Sequence, residues 1–145
     1  MPDPALAISL AGLEAVLKRL NKESDTLNAR ISDFEAALVA LNPGITAWCA
    51  EPIRLNEADA TGSQLGFTKH QDQWGLWVVR GRFGKGGGKW RLQTGNLVQS
   101  VVRLVDATRE ERAAAVDAFS DLVEALTKEA KERLAVVEAA NKRAQ

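Results

Sequence analysis

Large apolar side chains recur near the amino end in alternating steps of three and four: Leu6, Leu10, Leu13, Leu17, Leu20, Leu27, Ile31, Phe34, Leu38 and Leu41. Steps averaging 3.5 residues hold all of them on one narrow stripe of a single helix. Only Ser24 sits on that stripe without a large apolar group. The polar run Asn21–Asp25 does not read as a break, because the apolar phase is the same on both sides of it. Pro4 suits a first helical turn, and Asn42-Pro43-Gly44 is a strong stop. The pattern therefore predicts one helix over 5–42, with a seam about 36 residues and roughly 54 Å long. Such a seam needs a long partner helix, from within the chain or from a second copy. Small or apolar flanking residues (Ala7, Val16, Ala37) widen the stripe and favour a small bundle over a two-stranded rod.

From Ile45 the period changes. Ile45–Leu55 and Leu65–His70 read as strands, Gln71-Asp72-Gln73 as a turn and Trp74–Phe83 as a third strand. The loop Gly84–Lys89 then leads into a fourth strand at Trp90–Thr94, so 45–95 reads as an antiparallel meander. The third strand is apolar on both faces: Trp74, Leu76 and Val78 point one way, Trp77, Val79 and Phe83 the other. Helices on one side would cover only one of them, which predicts that a subunit or a ligand covers the second.

Asn96–Val105 fits strand and helix equally. Thr108 with Glu111 is a capping-box pair, and helices follow over 108–143 with a re-capping expected at Ser120. Val116, Phe119, Val123, Leu126, Ala130 and Val137 form a second, weaker stripe interrupted by Arg133. Glu124–Lys128, Glu129–Arg133 and Glu138–Lys142 are stabilising pairs at i,i+4 on the opposite, solvated face. The alanine-rich inner face is a natural partner for the leucines of the first helix.

Composition sharpens this only in part. The chain has 145 residues, 46% of them apolar and 26% charged, as in an ordinary single soluble domain. Nineteen basic and nineteen acidic residues cancel overall. Locally they do not: residues 45–105 carry eight basic and four acidic side chains. The lone Cys49 forbids an intrachain disulfide and fits a reducing, cytoplasmic setting. One Cys and one His are too few for a structural zinc site, and no cofactor motif is present. The apolar run Ala5–Leu13 follows Asp3 rather than a basic segment, so it reads as helix and not as a signal peptide. No membrane-spanning stretch is expected.

Gly81–Trp90, GRFGKGGGKW, invites comparison with a phosphate-binding loop. The required earlier glycine, the Ser or Thr after Lys and the following helix are all missing. Its cations carry more weight. Arg80, Arg82, Lys85, Lys89 and Arg91 lie beside Trp74, Trp77 and Trp90, and no acid stands between Asp72 and Asp106. Cations with neighbouring aromatic faces suit single-stranded nucleic acid or RNA. Tryptophan in a strand is more often core, and edge cations often block strand pairing. His70, Asp72 and Cys49 would make a catalytic set only if the fold joined them. No catalytic residue is assigned.

The sequence thus predicts an α+β fold: the long amino-terminal helix, a four-stranded antiparallel meander, and one or two carboxyl-terminal helices packed along the first. The function it points to is a non-enzymatic, homodimeric interaction module, or adaptor, that binds another protein through its sheet. Nucleic-acid binding through the hairpin over 74–91 is the alternative. A secretion-type chaperone, by architecture alone, is the lesser one.

Overall fold

The computed structural model describes residues 3–41, 43–93 and 98–144. Asn42, Thr94 and the first two residues of the segment Asn96–Val105 lie outside them. Helix α1 runs unbroken over Pro4–Leu41, straight through Ser24. Asp3 caps it: its Oδ1 accepts the Ala5 amide at 3.0 Å and its carbonyl accepts the Ala7 amide. Beyond the helix, Gly44 takes a left-handed φ of 60°.

Among the described residues the sheet has six strands, β1 (Ala47–Trp48), β2 (Arg54–Asn56), β3 (Thr61–His70), β4 (Gln73–Gly86), β5 (Lys89–Leu92) and β6 (Val98–Arg103). All pairings are antiparallel. The long β3–β4 hairpin is its spine, and its two-residue turn puts both Gln71 and Asp72 at positive φ. Two short strands, β1 and β2, share the outer edge of β3, while β5 and β6 both pair with β4. The expected strand Ile45–Leu55 is therefore two fragments. The expected loop Gly84–Lys89 is mostly strand, closed by the two-residue turn Gly87-Gly88 with φ of 59° and 79°. The ambiguous segment resolves as β6 followed by a 3-10 turn at Leu104–Asp106.

One sheet face carries the main core. Leu65 opposes Val78 and Phe67 opposes Leu76, and this layer meets Ile31 and Leu38 of α1 with Leu122 and Leu126. The second face corrects the sequence reading, because the chain covers it by itself. Trp77 is 3%, Val79 6% and Phe83 2% exposed. Trp48 lies on Gly66, the His70 ring stands edge-on to Trp77 at 4.7 Å, and Phe83 packs on Gly62. The chain's own aromatic groups bury Trp77, Val79 and Phe83, so these three side chains are covered without a subunit or ligand.

Two helices complete the fold, α2 (Arg109–Asp117) and α3 (Phe119–Arg143). The capping box is formed in full: Thr108 Oγ1 accepts the Glu111 amide and Glu111 Oε1 accepts the Thr108 amide, both at 3.1 Å. The break between the helices falls at Ala118, which offers no capping side chain, rather than at Ser120. Helix α2 packs along α1 in parallel. Arg109 donates to Asn21, Arg112 donates to Asn28 at 2.5 Å, and Phe119 stacks on Phe34 at 4.0 Å. Helix α3 then turns its first turns to β1 and β3 and has little further contact with α1.

Candidate functional site

The most unusual surface is made by the two long helices. On α1 the stripe does two different things. Ile31 and Leu38 are buried and Leu27 and Phe34 are half-buried in the core. The same stripe then continues in phase to Leu6, Leu10, Leu13, Leu17 and Leu20, which are 39–54% exposed. Every residue of α1 from 4 to 23 is exposed, and Leu41 is exposed beyond the core. Helix α3 repeats this behaviour. Leu122 and Leu126 are buried, whereas Leu134, Val136 and Val137 stand in solvent, as does all of α3 from Ala130.

These free halves enlarge the surface. The chain exposes 9803 Å², against about 7,300 Å² for a compact monomer of its 15.7 kDa. The surplus of about 2,500 Å² per chain is about 5,000 Å² for two chains, the upper part of the range that permanent homodimers bury in total.

The basic hairpin is split by the sheet. Cross-strand partners share a face. Phe83 with Leu92 and Lys85 with Trp90 make one, where the Lys85 ammonium sits 5.9 Å from the Trp90 ring centre. Gly84 opposite Arg91 and Gly86 opposite Lys89, extended by Arg82, make the other. Arg82, Lys85, Lys89 and Arg91 are exposed, and none is in an ion pair among the described residues. Three of the grouped residues do not belong to this surface. Trp77 is buried, Trp74 stacks on Phe67 at 5.6 Å beside the core, and Arg80 is committed to an acid.

That acid is Glu111, 4% exposed, and sequence reading missed its wider role. Arg80 holds it with two bonds, Nε to Oε2 at 3.0 Å and a terminal nitrogen to Oε1 at 2.6 Å. Ser63 Oγ donates to Oε2 at 2.5 Å. Burial opposes the charge of Glu111, but Arg80, Ser63 and the Thr108 amide outweigh it and hold the carboxyl down at about 2. The capping box marked Glu111 as an N3 residue; nothing local marked its partners on β3 and β4. A second ion pair, Glu35 with Arg103 at 2.7 Å, is locked by the Leu76 amide donating to Glu35 at 2.8 Å. Together they fasten α2 and α1 to the sheet.

The catalytic set considered from sequence is not assembled. Cys49 pairs beside Leu65, its amide donating to that carbonyl, whereas His70 ends β3 five residues further on. At about 3.3 Å per residue that separates them by roughly 16 Å. Asp72 is exposed in the turn. Burial and the nearby Asp121 push the Cys49 thiol up to about 11, the reverse of activation. Among the described residues no group of three or more His, Cys, Asp or Glu converges on a metal-sized site, and no helix is long and apolar enough to cross a membrane. An open groove of 720 Å³ between β1 and the α2–α3 junction is lined by Glu51, Asp117, Asp121, Glu124 and Glu129 against Lys128 alone.

No family model, no curated protein and no solved structure matches this chain.

Proposed function

We propose that this protein is a non-enzymatic, self-associating interaction module that acts as a homodimer held by its long helices. The observation that carries the reading is the leucine stripe of α1, which seals the core over 27–38 and continues unpartnered over 6–20. The surplus surface supports it. The doubly apolar strand no longer supports partner binding through the sheet, because Trp77, Val79 and Phe83 are closed within the chain.

The test is a charge placed on the bare stripe. Leu10→Glu with Leu17→Glu, at two exposed positions, leaves the fold intact by circular dichroism and halves the sedimenting mass. If the pair of substitutions leaves the sedimentation of the native protein unchanged, the seam is not there.

One further observation favours a second reading. Arg82, Lys89 and Arg91 share a face with Gly84 and Gly86; among the described residues none of the three is in an ion pair, and Asp59 is the acid whose charge is felt by Arg82. This suits the phosphates of a single-stranded nucleic acid, with binding that weakens steeply with salt. Retention of single-stranded RNA at low salt, lost on changing Arg82, Lys85 and Lys89 to Glu, supports it; no retention at low salt removes it.

A further inference from the structure

We infer that the bare carboxyl-terminal half of α3 packs antiparallel on the bare amino-terminal half of α1 of a second copy, and reciprocally. This rests on the self-association proposed above and specifies its pairing.

Both stripes ask for a helix, and within one chain they do not supply each other. Along α1, the parallel helix α2 reaches down only to Asn21. Helix α3 begins level with Phe34 and turns onto β1 and β3. From Phe34 to Leu17 is seventeen residues, about 25 Å of helix, and beyond its start α3 makes little contact with α1. Its own chain cannot bring Leu134 or Val137 to Leu10 or Leu13; another chain can.

The spacing of the two stripes supplies a register. Leu10, Leu13 and Leu17 are separated by steps of three and four. Val137, Leu134 and Ala130, read backwards, repeat those steps. Antiparallel helices therefore stack Leu10 with Val137, Leu13 with Leu134 and Leu17 with Ala130 in successive layers, large against small at the last. The bare segments also agree in scale: residues 4–23 and 130–143 measure about 30 Å and 21 Å.

Symmetry decides between this pairing and a leucine-to-leucine seam of two α1 helices. The reciprocal contact is isologous, uses both stripes of both chains and closes at two copies. A seam of α1 on α1 leaves Leu134 and Val137 in water on each chain. The protein would then keep half of what makes it sticky.

Engineered disulfides test this directly. In a Cys49→Ala background, Leu13→Cys and Leu134→Cys are made singly and together, oxidised mildly and run without reductant, with light scattering on the reduced proteins. The expected result is nearly complete conversion of the double variant to a covalent dimer, with neither single variant linking. A covalent dimer from Leu13→Cys or Leu134→Cys alone, or a scattering dimer in which the double variant does not link, overturns the reciprocal pairing and leaves self-association standing. A reduced protein that scatters as a monomer overturns both.

Discussion

Replacing Glu111 by Gln removes one charge from the junction of α2 with the sheet while keeping its shape. Glutamine resembles the protonated acid, so the cost follows from how strongly the fold prefers the ionised form. The carboxyl is held at about 2 from an ordinary 4.5. A difference of that size corresponds to about 3 kcal/mol, and water reaching the partly exposed Arg80 reduces it to about 2–3 kcal/mol. For a chain of this length that lowers the melting temperature by about 5–10 °C. The pH dependence carries the sharper signature. Because the folded value lies below the unfolded one, the contribution is complete above pH 4.5 and drains away as the pH falls toward 2. Glu111→Gln lacks that component from the start. Urea unfolding of both proteins at equal concentration should show a gap at pH 7 that closes between pH 4.5 and 2. Equal stability at pH 7, or a gap that persists unchanged to pH 2, refutes the assignment of Arg80 and Ser63 as its stabilising partners.

Other expectations follow from single features. Gly66→Ala drives a methyl group into the Trp48 ring and should cost about 1–3 kcal/mol by overpacking, read as a lower urea midpoint; an unchanged midpoint means Trp48 is free to move. The Cys49 thiol, 3% exposed and pushed up to about 11, should react with a thiol reagent at pH 8 far more slowly in the native protein than in urea; equal rates contradict its burial. Leu20→Glu with Leu27→Glu should be more damaging than Leu10→Glu with Leu17→Glu, because Leu27 also packs against the core; circular dichroism should show lost helix only in the first.

What could be read in advance was whatever is local or periodic. The 3.5-residue period specifies α1 through Ser24, Thr108 and Glu111 announce the start of α2, and the turn residues Gln71-Asp72-Gln73 between two apolar runs mark the β3–β4 hairpin. What escaped depends on contacts distant in sequence. The curl that lets Trp48, His70 and Phe83 close the second face is a property of the whole sheet, so the sequence alone leaves that apolar face looking like an interface. Arg80 looked like one more hairpin cation because its partner lies 31 residues away on α2. Ser120 has the side chain of a cap, but the chain breaks at Ala118, whose carbonyl accepts from the Cys49 thiol, next to Phe119, which stacks on Phe34. The match between the stripes of α1 and α3 was visible; that one chain leaves it unmade was not.

The central claim is that the leucines of α1 beyond the core are covered by another copy. Complete burial of Leu6, Leu10, Leu13, Leu17 and Leu20, about half exposed now, recovers about 4–7 kcal/mol per chain. Two chains together gain about 8–15 kcal/mol against an association cost of similar scale. Light scattering on the purified protein across micromolar concentrations measures the outcome most directly. A dimer scatters at twice the 15.7 kDa of one chain; a mass of one chain at every concentration means that no second copy covers the stripe.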